Sequence, residues 1–134
     1  MGTWGAESFA NDMAMDWVAE LEEATDLRVV REALGAATSD GYLDADVGSV
    51  GLAAAEVVAA LRKQPSADLP EEVMAWVDAH DDEPDDELLR KALEAVDAIA
   101  DSSQSELRDL WHEAGAKDRT AWHAAIADLR RRLD

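Results

Sequence analysis

The sequence predicts an all-α protein, a single-domain bundle of six or seven helices around a buried central helix. Apolar residues recur at helical spacing along most of the 134 residues, and no stretch alternates convincingly like a β-strand. Hydrophobic residues make up 48% of the chain, too many for a disordered acidic protein despite the formal net charge of −19. Between Asp46 and Arg62 the only charged residue is Glu56, so the helix predicted there is apolar on nearly every side. Such a helix is normally buried.

Two helices are predicted before the central one, after an N-terminal loop rich in Gly and Trp at residues 1–10. The first begins after Asn11, a favourable N-cap, and Asp12 stands at the positive end of its dipole. The second runs from about Thr25 to Ala37. Each carries an apolar stripe at helical spacing: Met13, Ala14, Trp17, Val18 and Leu21 in the first, and Leu27, Val30 and Leu34 in the second.

The central helix is predicted over residues 44–63. Gly48 and Gly51 near its start each disfavour a helix by about 1 kcal/mol relative to Ala. Alternatively, these two glycines allow a neighbouring helix to approach closely.

The second half of the chain is predicted to contain further helices joined by short connectors. Pro70 occupies the first position of a short helix, and the acidic segment Asp81–Glu87 forms a loop before a long one. Ser103 and Glu106 have the spacing of a capping box before the next helix. The last helix begins at about Asp118. Its final turn carries three residues that complement the negative end of the dipole, Arg130, Arg131 and Arg132. Because the connectors are too short to separate domains, we expect one helical domain over residues 1–134.

The composition excludes several classes of function. With 31 acidic against 12 basic residues, the chain is poorly suited to neutralise phosphates, so we expect no nucleic-acid partner. The absence of Cys excludes disulfides, thiol catalysis and thiolate metal sites. The start of the chain has neither a basic nor an apolar leader region, and no run is long enough to span a bilayer. We therefore expect a cytoplasmic protein with no membrane partner.

Three stretches of the sequence together resemble a known family. They are Gly2-x-Trp4-Gly5-x-x-x-Phe9-x-Asn11-Asp12-x-Ala14-x-Asp16-Trp17, the helical segment Ala53–Leu61, and Ser105-Glu106-Leu107-x-x-Leu110-Trp111-x-Glu113 followed by Trp122 and Arg132-Leu133. On these residues the chain resembles the bacterial domain-of-unknown-function family numbered 4259, over essentially its whole length. The resemblance implies a small, mainly helical, stand-alone protein. It brings no activity, substrate or catalytic residues.

Glu56 is the first candidate functional residue. A carboxylate among Ala and Val has a raised pKa unless it is hydrogen-bonded or paired, and an acid tuned in this way can act as a general base. The structural alternative is that Glu56 accepts hydrogen bonds from an indole, an arginine or backbone amides near Gly2 and Gly5. We favour the second interpretation, in which Glu56 anchors the N-terminal loop. The candidate cluster consists of Gly2, Trp4, Gly5, Asn11, Asp12, Asp16, Glu56, Glu106 and Trp111.

The histidines give little reason to expect a metal or cofactor. His80, His112 and His123 are well separated in the chain, and His112-Glu113 lacks the partner at i, i+4 that a helical zinc motif needs. Asp109 and His112 share a helical face, but carboxylate-bridged metal sites need several such pairs. We therefore predict no metal and no cofactor.

The acidity has two competing explanations. Arg outnumbers Lys nine to three and acids cover the surface, as in proteins adapted to concentrated salt. However, residues 1–27 hold seven acids and no base, residues 64–89 hold ten acids and no base, and residues 103–134 are balanced at six each. This uneven pattern favours a binding face for a basic partner. The candidate surface is Asp81, Asp82, Glu83, Asp85, Asp86 and Glu87.

We therefore expect a non-enzymatic protein-binding module for a basic protein, for example an inhibitor or immunity-like protein. One alternative is an enzyme in which Glu56 or Asp16 acts as the acid or base near Trp4. The other alternative is a salt-adapted housekeeping protein with no dedicated site.

Overall fold

The computed structural model describes residues 8–38, 41–80 and 83–134, and these residues form an all-α bundle. The described part contains seven helices and no named strand, which confirms the predicted fold class. The helices are α1 (Asp12–Glu23), α2 (Arg28–Ala37), α3 (Ala45–Leu61), α4 (Glu71–Ala79), α5 (Asp86–Asp101), α6 (Glu106–Glu113) and α7 (Ala116–Leu133). None of these helices is both long enough and apolar enough to cross a membrane.

Side-chain caps fix where four of the helices begin. Asn11 accepts a hydrogen bond from the backbone N–H of Ala14 at 2.8 Å, as predicted for α1. Asp44, Asp85 and Ser105 cap α3, α5 and α6 through their oxygens in the same way. Each cap satisfies one of the backbone donors that a helix start leaves without an intrahelical partner.

Other boundaries differ from the prediction for local reasons. α2 begins at Arg28 rather than Thr25, because the Asp26 carboxylate accepts the N–H of Arg28 at 2.9 Å and holds the preceding residues in a turn. Pro70 is the N-cap of α4 and not its first helical residue. α7 begins at Ala116, two residues before the predicted start, after Gly115 with a φ of 113°.

The predicted capping box and the predicted acidic loop were both wrong in part. The cap of α6 is Ser105, not Ser103, and its hydroxyl also donates a 2.6 Å hydrogen bond to the buried carbonyl of Ile99. Of the predicted loop, Asp86 and Glu87 form the first turn of α5. The segment at positions 81 and 82 lies outside the described residues.

The core is organised around α3, as predicted. Every residue from 51 to 61 is buried, and this helix packs against each of the other six. Ala and Val on all its sides give the neighbouring helices flat, close contact surfaces, which is why an apolar helix occupies the centre. α6 contains no buried residue, and residues 113–121 are all exposed, so α6 and the start of α7 form a hairpin at the edge of the bundle.

The close approach that Gly51 was predicted to allow is present. A Cβ atom built at Gly51 would lie 2.9 Å from both the Ala37 Cβ and the Ile99 Cδ1. Gly51 therefore sits where α2 and α5 meet α3, and hydrogen is the only side chain that fits without movement of the neighbours. At Gly48 the nearest atoms belong to Leu107, at 3.3 Å, so that position is less crowded.

We predict that Gly51→Ala destabilises the protein. The better helix propensity of Ala stabilises the variant by about 1 kcal/mol. Overpacking against two helices costs about 1–3 kcal/mol, and separations of 2.9 Å place this clash near the upper end of that range. The matched control is Gly35→Ala on α2, where an added Cβ would meet only the end of the Lys91 side chain, at 3.6 Å. Urea unfolding should show a loss for the first variant and no loss for the second. Equal stability of the two variants would contradict the proposed crowding.

Candidate functional site

A buried ion pair joins the middle of α3 to the last turn of α7. Glu56 and Arg132 are 4% and 8% exposed. The guanidinium donates from Nη1 to Oε1 at 2.7 Å and from Nη2 to Oε2 at 3.1 Å, so the two planar groups meet side by side. This two-bond arrangement is the strongest that Arg and a carboxylate can make. Of the partners considered from the sequence, an arginine is present, whereas the backbone amides near Gly2 and Gly5 lie outside the described residues.

The remaining polar atoms of the pair also have partners. Ser8 donates its hydroxyl hydrogen to Glu56 Oε2 at 2.9 Å. Arg132 donates from Nε to Asp128 Oδ2 at 2.8 Å and from Nη1 to the backbone carbonyl of Gln64 at 3.4 Å. Among the described residues, no buried side-chain nitrogen or oxygen lacks a hydrogen-bond partner. The charges are therefore desolvated but fully bonded, which is what makes a buried pair tolerable.

The electrostatics of the cluster favour the charged forms of Arg132 and Asp128. Burial acts to lower the pKa of Arg132, but the hydrogen bond and charge of Glu56 outweigh it and raise the pKa above its usual value. Partial burial acts to raise the pKa of Asp128, but its bonds to Arg132 and Arg131 hold the pKa below its usual value. Arg132 and Asp128 are thus each held in the ionised form by their partners.

This arrangement supports the anchoring interpretation of Glu56. The Ser8 bond ties the segment before α1 to the centre of the bundle. Both oxygens of Glu56 are occupied by Arg132 and Ser8, so action as a general base would first require one of these bonds to break. Asp16, the other acid considered for such a role, is exposed on α1.

Among the other members of the predicted cluster, those that the structure describes form no direct hydrogen bond with Glu56. Gly2, Trp4 and Gly5 fall outside the described residues. Glu106 accepts the backbone N–H of Ala45 at 2.7 Å and so caps the start of α3, which is eleven residues, or about 16 Å of helix, from Glu56.

Asn11, Asp12 and Trp111 have separate local positions. Asn11 caps α1, and Asp12 is exposed in its first turn. Trp111 is half-buried on α6 and stacks on Trp122, with ring centroids 6.3 Å apart. Among the described residues, the structure assembles Glu56 with Ser8, Arg132 and Asp128. Asn11 is linked to this group because its side-chain amide donates to the Ser8 carbonyl at 3.3 Å. The other described members, Asp12, Asp16, Glu106 and Trp111, form no hydrogen bond with these residues.

The most acidic surface lies on α1 and α4. These two helices pack together, and the Trp76 indole N–H on α4 donates to the Ala24 carbonyl at the end of α1 at 3.1 Å. Neither helix contains Lys or Arg. None of the ion pairs found among the described residues involves an exposed carboxylate of α1 or α4. We call this set the acidic α1/α4 face: Asp12, Asp16, Glu20, Glu22, Glu23, Glu71, Glu72 and Asp78.

Acids on the C-terminal side of the bundle are instead paired with arginines. Arg130 on α7 bonds Asp97 at 3.0 Å and Asp101 at 2.6 Å on α5. Asp128 is shared between Arg131 and Arg132. Several acids on α5 and α7 are therefore compensated by arginines, whereas no described ion pair compensates those of the acidic α1/α4 face.

The predicted acidic loop contributes only part of such a surface. Glu83, Asp85, Asp86 and Glu87 are exposed, but the Asp85 carboxylate caps α5 by accepting the N–H of Leu88 at 2.8 Å. The acids of α1, which are distant from this loop in the chain, join the surface through the packing of α1 on α4. The number of acids along the sequence identifies the two acid-rich regions, residues 1–27 and 64–89, but contains no information that α1 and α4 pack against each other.

Sequence spacing also missed a histidine pair. His112 on α6 and His123 on α7 are brought together by the short turn at Ala114 and Gly115, with 2.9 Å between their Nε2 atoms. Desolvation and the nearby Arg108 lower the pKa of His112. The signal in the sequence was the short turn between two helices, which makes residues on both sides of it neighbours. No group of three or more candidate metal ligands occurs in the described part of the chain.

The fold and these side chains define a class of protein: a small helical bundle with one saturated buried ion pair and a strongly polarised surface charge. The chain belongs to the family described as domain of unknown function DUF4259, whose family model matches residues 2–125. The matched residues include Glu56 and end before Arg132. Searches of curated proteins and of solved structures gave no match.

We predict that Arg132→Met destabilises the protein by about 3–5 kcal/mol, because it leaves Glu56 buried without a counter-charge. The control is the neighbouring Arg131→Met, whose side chain is 75% exposed and should change stability by about 0.5 kcal/mol or less. Urea unfolding followed by Trp fluorescence measures both. Glu56→Gln, which keeps the shape and some hydrogen bonds, should lose less than Arg132→Met. A loss for Arg132→Met no larger than for Arg131→Met would contradict the structural importance of the pair.

Proposed function

We propose that this protein is a non-enzymatic binding module whose acidic α1/α4 face docks a basic protein partner. An inhibitor or an immunity-like protein is one concrete form of this proposal. The observation that carries it is the cluster of eight exposed carboxylates on two packed helices, with no base on either helix and no described ion pair among them.

The charge distribution supports recognition more than general acidity. On α5 and α7, by contrast, arginines lie against several of the acids, as Arg130 does with Asp97 and Asp101. Leaving eight carboxylates uncompensated on adjacent helices costs stability through mutual repulsion. A complementary basic surface relieves that repulsion, and the negative field accelerates encounter with such a partner.

The face is also well held in position. Trp17 and Trp76 are 4% and 5% exposed and fix the inner sides of α1 and α4 in the core. Because the backbone under the acids is helical and anchored, a partner would meet them in a fixed arrangement with little ordering cost. Glu83, Asp86 and Glu87, which follow α4 in the chain and are exposed, extend the negative charge beyond it.

We predict that removing three of the eight negative charges of the face weakens binding enough to prevent capture of the partner from lysate. The full chain is immobilised and exposed to native lysate at low salt, and bound proteins are eluted by raising the salt and identified by mass spectrometry. The test variant carries Asp16→Asn, Glu20→Gln and Asp78→Asn. The control variant removes the same charge elsewhere, through Glu32→Gln, Glu94→Gln and Glu113→Gln, all at exposed positions.

One basic protein that is retained by the native and control chains and lost by the test variant is the expected result. With that protein purified, the association rate should fall about tenfold or more for the test variant and decrease with salt. Equal loss in both variants would show that only net charge matters, and would contradict a dedicated face. Capture of no basic protein by the native chain would overturn the proposal.

Salt dependence of stability separates recognition from adaptation to concentrated salt. We predict that the melting temperature rises with NaCl up to a few tenths molar, as repulsion on the acidic α1/α4 face is screened, and then levels off. The melting temperature of the test variant should rise less with NaCl than that of the control variant. A melting temperature that continues to climb in molar salt, equally in both variants, would instead favour the salt-adapted alternative.

A further inference from the structure

Two imidazole rings meet on the edge of the bundle, where α6 turns into α7. The Nε2 atoms of His112 and His123 are 2.9 Å apart, and the ring planes cross at 65° with centroids separated by 5.1 Å. At this distance one neutral ring donates its N–H to the lone pair of the other. His123 is exposed and His112 is half-buried, so the pair is open to solvent.

The histidine pair lies beside two stacked tryptophan rings. The His123 ring contacts the Trp122 ring edge-on at 5.3 Å between centroids, and Trp122 in turn stacks on Trp111. Trp122 is 2% exposed, which ties this part of α7 to the core. The backbone positions of both histidines are therefore fixed by neighbours, and only the ring torsions remain free to adjust.

We propose that the His112–His123 pair binds a divalent copper or nickel ion through its two Nε2 atoms, with water completing the coordination. Imidazole nitrogen is a ligand that suits both ions. Two neighbouring ligands in a square-planar or tetragonal site, at about 2.0 Å from the metal, lie about 2.8 Å from each other. The same bonds in a tetrahedral zinc site would place them about 3.3 Å apart. The observed 2.9 Å between the two Nε2 atoms is closer to the first value than to the second.

Some charged residues around the histidine pair favour the binding of a metal ion and others oppose it. Asp109 lies one turn before His112 on α6, and the net charge of −19 attracts cations to the whole surface. Arg108 and Arg119 lie near the pair and oppose a metal ion. Since the described residues supply no third candidate ligand, the ion would exchange with solvent and the fold would not depend on it. The site is also separate from the acidic α1/α4 face, so the two proposals stand or fall independently.

The test is a titration of CuCl₂, and then of NiCl₂, into the native chain at about pH 7.5, where an ordinary imidazole is neutral. Excess Mg²⁺ and about 0.15 M NaCl suppress binding to carboxylates. Isothermal titration calorimetry should show one site per chain, with Cu²⁺ bound more tightly than Ni²⁺. Trp fluorescence should be quenched in parallel, because Trp122 adjoins His123. Electron paramagnetic resonance of the Cu²⁺ complex should show coupling to two imidazole nitrogens.

His112→Gln and His123→Gln should each weaken Cu²⁺ binding by roughly 10- to 100-fold or more, since even the loss of an outer-shell partner costs that much. The control is His80→Gln, which removes a histidine that stacks on Trp76 and bonds its carbonyl, far from the pair in the chain. It should leave the affinity unchanged. Equal affinities for the native chain and the His112→Gln/His123→Gln double variant, or a resonance spectrum without two coupled nitrogens, would overturn the site.

Discussion

The buried contact between Glu56 and Arg132 is the constraint on which the rest of the bundle depends. It is formed by residues 76 positions apart and joins the central helix to the last turn of the chain. Removing two charges from water is costly, and the cost is offset only when every donor and acceptor finds a partner. Ser8, Asp128 and the Gln64 carbonyl supply further partners for the pair. The pair therefore fixes α3, α7 and the segment before α1 relative to one another.

Three consecutive arginines at the end of α7 illustrate how position on a helix decides role. Arg130 reaches across to α5, Arg131 points to solvent with 75% of its side chain exposed, and Arg132 enters the core. Successive residues on a helix are about 100° apart, so one short basic run supplies an inter-helix bridge, a surface charge and a buried counter-ion. From sequence, all three were predicted only to complement the helix dipole. That interaction is available to each of them but does not distinguish among them.

The parts of the structure that the sequence predicted are those that depend on local pattern. The apolar run of α3 has no other stable position than the centre, and the Asn11 cap needs only the backbone three residues ahead. The site depended on long-range pairing, which the pattern does not contain. Glu56 was expected to find a buried donor, but nothing in the sequence distinguishes Arg132 from the other arginines. The cap of α6 is a similar case, because the sequence pattern predicted Ser103 and the structure has Ser105. Ser105 wins because its hydroxyl can also satisfy the buried carbonyl of Ile99, a contact set by tertiary packing.

The charge polarity follows from the same packing. Nine of the twelve basic residues are arginines, and those in the last turn of α7 neutralise carboxylates on α5 and α7. Arg130 and Arg132 link α7 to α5 and α3, whereas α1 and α4 contain no Lys or Arg and are fixed in the core by buried tryptophans. A protein that needed only solubility would gain nothing from concentrating its unpaired acids, since repulsion is weaker when like charges are spread apart. Concentrated negative charge on rigid, apolar-anchored helices has a physical advantage when a positive surface approaches it, and this is why the acidic α1/α4 face, rather than the buried carboxylate, carries the proposed function.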